Sequence, residues 1–196
     1  MYFEFNNVTF SYGNKKILDN FSFSLEKGGI ILIKGESGIG KTTILKLISG
    51  ILDMKKGSVI LDGKDITKEK IEKKEVAYLF QDYSLFPHMT VEKNILYGLK
   101  IKDVNYWLEL IGMLEYKKAY PNELSGGQKQ RVALVRSLAT NPKILLLDEP
   151  FSSIDNNMQN RLREDLMNLL KKLEITTIIV SHNKEDEKIA DKIISI

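Results

Sequence analysis

Hydrophobic positions along the chain follow two different rhythms. Near the start they alternate with polar ones, at Phe3 and Phe5 and again at Phe21, Phe23 and Leu25. A period of two is that of a strand with one buried face. Tyr12-Gly13-Asn14 separates these runs as a turn, and Ser58–Leu61 leads into Asp62-Gly63, a strong hairpin signal. The front of the chain is therefore expected to be antiparallel. Further on, Ile30–Ile33, Val76–Phe80, Ile144–Leu147 and Thr176–Val180 are short, nearly unbroken apolar runs. Strands read this way when helices cover both faces of a parallel sheet. Helical spacing fits Thr42–Ser49, Val104–Leu114, Gln128–Ala139 and Asn156–Leu173, the last with Leu162, Leu166, Leu169, Leu170 and Leu173 on one stripe. The expected fold class is α/β, with a mainly parallel sheet at the core, an antiparallel β front section and a small helical lobe.

The residues with chemical potential lie just after the unbroken runs: 35–43, Gln81, Asp148 with Glu149, and His182. In open α/β sheets ligands bind at the carboxyl ends of strands, so these positions converge on one edge. Gly35-Glu36-Ser37-Gly38-Ile39-Gly40-Lys41-Thr42 matches the phosphate-binding loop G-x-x-x-x-G-K-[ST], between a strand and a helix as that motif requires. Its glycines let successive backbone N–H groups face inward as an anion nest, and the helix behind adds positive potential. Lys41 supplies a full charge for the β- and γ-phosphates, and the Thr42 hydroxyl suits Mg²⁺. Ile144–Leu147 ends in Asp148 and Glu149, the form of a Walker B segment. Asp148 would orient the metal shell and Glu149 would take a proton from attacking water. The core is thus expected to be of the P-loop NTPase kind. Asn183-Lys184-Glu185-Asp186 also fits the N-K-x-D pattern of guanine-binding P-loop proteins. No D-x-x-G accompanies it, and Lys184–Asp186 reads as the charged start of a helix.

Composition narrows the picture without redirecting it. A chain of 196 residues suits one domain. The net charge of +3, from 29 basic and 26 acidic residues, describes a lysine-rich solvated surface and demands no nucleic-acid partner. The absence of cysteine excludes disulfides, thiolate metal sites and a cysteine nucleophile. Met1–Phe5 lacks the form of a signal peptide, and no apolar run reaches the roughly 18–20 residues that span a bilayer. Membrane association is therefore expected to come through a partner. There is no internal repeat, low-complexity tract or linker.

Leu124-Ser125-Gly126-Gly127-Gln128 opens a helix, and spacing alone makes it a helix start and cap. It is also the signature sequence of ABC (ATP-binding cassette) ATPases, and the whole stretch 124–155 resembles that family. The resemblance implies that 35–43, including Thr43, cradle ATP and that Tyr12 stacks on its adenine. It further implies that Gln81 touches Mg²⁺ or water and senses a membrane partner, that Asp155 forms the D-loop, and that His182 contacts the γ-phosphate. Ser125, Gly126, Gly127 and Gln128 would complete the nucleotide site of a second cassette, sandwiching ATP in a dimer. His88 is read as surface and Trp107 as core.

Two lobes follow from the family: a core with the front β section, about 1–80 and 129–196, and a helical lobe, about 81–128. Tyr78–Val91 with Glu92–Leu99, and Pro150–Asp155, resemble importer ATPases for inorganic oxyanions, ferric iron and polyamines. The implied function is to power solute transport through a separate transmembrane permease, at the cytoplasmic face of the membrane. The alternatives are a membrane-regulatory ABC ATPase of the division type and a soluble one not coupled to transport. Two departures from the importer pattern are visible: the chain stops at Asp191–Ile196, with no regulatory domain expected after the cassette, and 100–105 is short for the family.

Overall fold

The computed structural model describes residues 1–97, 103–152 and 156–196, with backbone only at 156–158, 161 and 162. The front section is β1 (Phe3–Tyr12), β2 (Lys15–Leu25), and, after the first helix, β4 (Lys56–Leu61) and β5 (Lys64–Asp65), forming an antiparallel sheet of order β2-β1-β4-β5. The alternating aromatics explain it. Phe3, Phe5 and Phe23 are buried on one face, and the Phe3 and Phe5 rings lie 5.7 and 5.3 Å from that of Phe23. Cross-strand aromatic pairs of this kind fix register as well as adding burial.

The second sheet is parallel. It comprises β3 (Ile30–Lys34), β6 (Val76–Leu79), β7 (Ile144–Asp148), β8 (Thr176–Ser181) and β9 (Lys192–Ser195), in the order β6-β7-β8-β3-β9. Its unbroken apolar runs resolve into two faces, because successive strand residues point to opposite sides. Leu32, Leu145, Leu147 and Ile179 enter one core together with residues of α2 (Val91–Leu96), α3 (Val104–Leu110), α4 (Gly126–Leu138) and α5 (Asn156–Lys172). Ile31, Ile33, Leu146, Ile178 and Val180 enter the other, against α1 (Lys41–Ser49) and the front sheet. Leu166, Leu169 and Leu170 of α5 are buried as their stripe requires, and the side chain of Leu162 lies outside the described residues.

Helix boundaries differ from expectation for local reasons. The helix expected to run to Leu114 ends at Leu110. Gly112 takes φ 63°, a left-handed turn that suits glycine and stops a helix, and Leu114–Tyr116 is a separate 3-10 turn. The helix expected from Gln128 starts earlier, at Gly126. There Ser125 accepts from the Gln128 amide while the Gln128 side chain accepts from the Ser125 amide, a reciprocal cap that places both glycines inside the first turn. Phe80 falls just past its strand, and Lys184–Ile189 is a 3-10 turn. Trp107 packs half-buried against the core, and His88 is exposed. Among the described residues no helix is long and apolar enough to cross a membrane.

Candidate functional site

The first part of the site is the loop from β3 into α1. Lys41 is 5% exposed, and its Nζ donates to the carbonyls of Gly35 and Glu36, each at 2.9 Å. The lysine thereby curls the loop around its own cation. Gly40 makes the curl possible: it takes φ 125°, and a Cβ there would sit 2.5 Å from Ile17 Cγ2. Glu36, Ser37, Gly38 and Ile39 form the exposed crown, with Thr42 half-buried and Thr43 buried below them.

The second part lies across the sheet. The Thr42 hydroxyl donates to Asp148 Oδ1 at 2.9 Å, tying the loop to the end of β7. Tyr78 of β6 donates to Asp148 Oδ2 at 2.7 Å. Burial, and then this bond to Asp148, push the Tyr78 phenol well above its ordinary range, so it remains a donor and holds the carboxylate at a fixed angle. A hydroxyl and a buried carboxylate oxygen beside an anion cradle form the hard-oxygen set that Mg²⁺ prefers.

Glu149 follows in a left-handed conformation, φ 45°. Its amide donates to the Val180 carbonyl at 3.0 Å, so the β7–β8 ladder runs one residue past the strand. Its Oε1 lies 3.0 Å from Nδ1 of His182, just beyond β8. Gln81, just beyond β6, donates to the Ser152 hydroxyl at 3.1 Å, and that hydroxyl donates to the Glu149 carbonyl at 2.9 Å. The strands β6, β7, β8 and β3 are neighbours and parallel, so Gln81, Glu149, His182 and the loop fall in a row along one edge.

Other candidates are placed less centrally. Tyr12, at the end of β1, is 48% exposed, with its hydroxyl 3.5 Å from Thr43 Oγ1 and its ring edge-on to Phe10. Ser125, Gly126, Gly127 and Gln128 cap α4, and no described hydrogen bond joins them to the 35–43 loop. Asp155 lies outside the described residues. Several contributors had no signal in the sequence. Tyr78 sat inside an apolar run. Asp186, read as part of the charged start of a helix, is 1% exposed and paired with buried Arg163 of α5.

Comparison with known proteins identifies the family. A family model described as ABC transporter matches residues 18–152. The chain belongs to the ABC transporter family. Relatives within it include the Fe(3+) ions import ATP-binding protein FbpC of Pasteurella multocida, 38% identical over 96% of this chain and 57% of that protein. The spermidine/putrescine import ATP-binding protein PotA of the same organism is 39% identical over 97% of this chain and 54% of that protein. The probable sulfate/thiosulfate import ATP-binding protein CysA of Chlorella vulgaris is 38% identical over 96% of this chain and 84% of that protein. The chain thus spans little more than half the length of the first two. A solved structure of the ATP-binding cassette MJ0796, dimeric and in a post-hydrolysis state bound to ADP and Pi, superposes with a TM-score of 0.81 at 26% identity, covering 99% of this chain and 94% of that one. The fold is that of an ATP-binding cassette.

Proposed function

We propose that this chain is the ATP-binding and ATP-hydrolysing subunit of a membrane importer, acting through a separate transmembrane permease. The observation that carries the reading is the row formed by Lys41, Thr42, Asp148, Glu149 and His182 at one sheet edge. Lys41 and the amides of 35–43 neutralise phosphate charge, exchanging the loop carbonyls for phosphate oxygens. Thr42 and Asp148, with Gln81, would hold Mg²⁺, which when bound offsets charge between the β- and γ-phosphates. Glu149 accepts the proton of the attacking water, while His182 hydrogen-bonds both Glu149 and the γ-phosphate. Tyr12 stacks on adenine.

Ser125, Gly126, Gly127 and Gln128 form a capped helix start, exposed at Ser125, that would meet a second cassette, so that two cassettes enclose ATP and hydrolysis releases them. Asp155, by its resemblance to the family's D-loop, would also serve the nucleotide. Residues 81–128 form the helical lobe that meets the permease, on the cytoplasmic face. No nucleic-acid partner is expected from a surface so nearly neutral. Importers of ferric iron, polyamines and sulfate among the relatives support the direction of transport.

The test is an affinity pull-down of tagged Glu149→Gln protein with ATP present, from solubilised membranes and from cytosol. Recovery of a polytopic membrane protein supports the importer reading and identifies the subunit to assay for uptake. Recovery of ribosomes, nucleic acid or soluble proteins alone overturns it in favour of a soluble ABC ATPase. A polytopic partner without transport activity favours the regulatory alternative.

A further inference from the structure

A buried polar cluster, none of it in the phosphate loop, connects the two strand ends that carry Glu149 and His182. Arg163 on α5 and Asp186 in the turn after β8 are 5% and 1% exposed, and Arg163 Nε donates to Asp186 Oδ1. Ser181, itself buried, donates its hydroxyl to the other Asp186 oxygen and accepts from the Asn183 amide at 3.0 Å. On its far side the guanidinium donates to Gln159 Oε1 at 3.0 Å, and the Gln159 amide donates to the Phe151 carbonyl at 3.1 Å. The guanidinium also lies 5.1 Å from the Phe151 ring centroid. One side chain of α5 therefore reaches both flanks of the pair: Phe151 stands two residues beyond Glu149, and Ser181 and Asn183 bracket His182. The His182 side chain is 55% exposed, so little packing fixes its direction.

We infer that Arg163 and Asp186 are positioning residues for hydrolysis. They hold the backbone on both sides of His182 and just after Glu149, so that carboxylate and imidazole keep their 3.0 Å separation. The inference rests on the reading of Glu149 and His182 as the groups that act at the γ-phosphate. A buried ion pair is seldom needed for stability, because a well-packed apolar pair of similar volume folds as well. What an apolar pair cannot supply is the set of directed bonds to Ser181 and Gln159.

The experiment replaces both partners, Arg163→Met with Asp186→Leu, and compares steady-state ATPase, ATP affinity, thermal melting and the imidazole NMR signals with those of unmodified protein. ATP affinity is expected to stay near the unmodified value, while melting falls by the few degrees that unpaired buried groups on Ser181 and Gln159 cost. Turnover should fall about 10- to 10²-fold, the reach of a small displacement of reacting groups. The His182 signal should move while that of His88 stays. Unmodified kcat with an unmoved His182 signal overturns the inference. Should the double change melt the protein, Ser181→Ala carries the same test with the ion pair intact. It is expected to lower kcat and move the His182 signal, and full activity there overturns the inference equally. Glu149→Gln and His182→Ala run in parallel: normal turnover in both would remove the underlying reading, whatever the Arg163 and Asp186 variants do.

Discussion

The two halves of the site are built in opposite ways. The phosphate loop is contiguous, its shape set by backbone: a glycine at φ 125° and a lysine bonded to carbonyls five and six residues before it. The corner proposed to act in hydrolysis is assembled from the ends of three strands, with Gln81, Glu149 and His182 linked through side chains and Arg163 reaching in from a helix. A backbone-built site is expected to bind whether or not its surroundings are in perfect order. A corner built from side chains far apart in sequence responds to any shift between strands. The division suits a cycle in which ATP is held first and cleaved only once the corner is aligned.

That contrast can be broken experimentally. Glu149→Gln removes the proposed base while keeping shape, and turnover should fall by ~10²–10⁴-fold with ATP binding retained. Near-normal steady-state hydrolysis would take Glu149 out of its role. Lys41→Ala acts on the other half. ATP affinity should weaken on the order of 10²-fold, since a desolvated charge partner is lost, and an unchanged equilibrium-dialysis Kd would contradict the phosphate-loop assignment. Gly40→Ala tests the backbone directly. A Cβ 2.5 Å from Ile17 Cγ2 in a left-handed conformation should cost about 1–3 kcal/mol, read as a lower urea midpoint. The smallest effect is expected at the join. Tyr78 has its phenol raised above the ordinary value of 10.0 by burial and by Asp148. A raised folded value contributes fully below the unfolded one, and the contribution is lost as pH rises beyond it. Tyr78→Phe should therefore flatten the decline in stability above about pH 10, measured as melting temperature against pH. A decline as steep as that of the unmodified protein would show that Tyr78 contributes nothing to it.

Legibility in the sequence followed the same divide. The loop and the Asp148-Glu149 strand end could be read directly, because each is short, contiguous and follows an apolar run. Alternating aromatics gave the front sheet, and unbroken runs gave the parallel one. Nothing local announced that Tyr78 turns its hydroxyl toward Asp148, since strand parity depends on which face the helices cover. Asp186 misled for a physical reason: it sits in a run of five charged residues, Lys184–Lys188, whose first three read as the charged start of a helix, and only the packing of α5 shows Asp186 buried. The early end of α3 lay in Gly112, whose left-handed turn outweighed the apolar spacing around it.

One consequence concerns how the protein can drift. Glu149 occupies φ 45°, a conformation glycine adopts freely and glutamate does not. A glycine there would relieve the backbone, and on the proposed role of Glu149 it should leave a more stable molecule that no longer turns over. Durability and chemistry thus pull in opposite directions at a single residue. A screen for heat resistance alone would be expected to include inactive variants at that position.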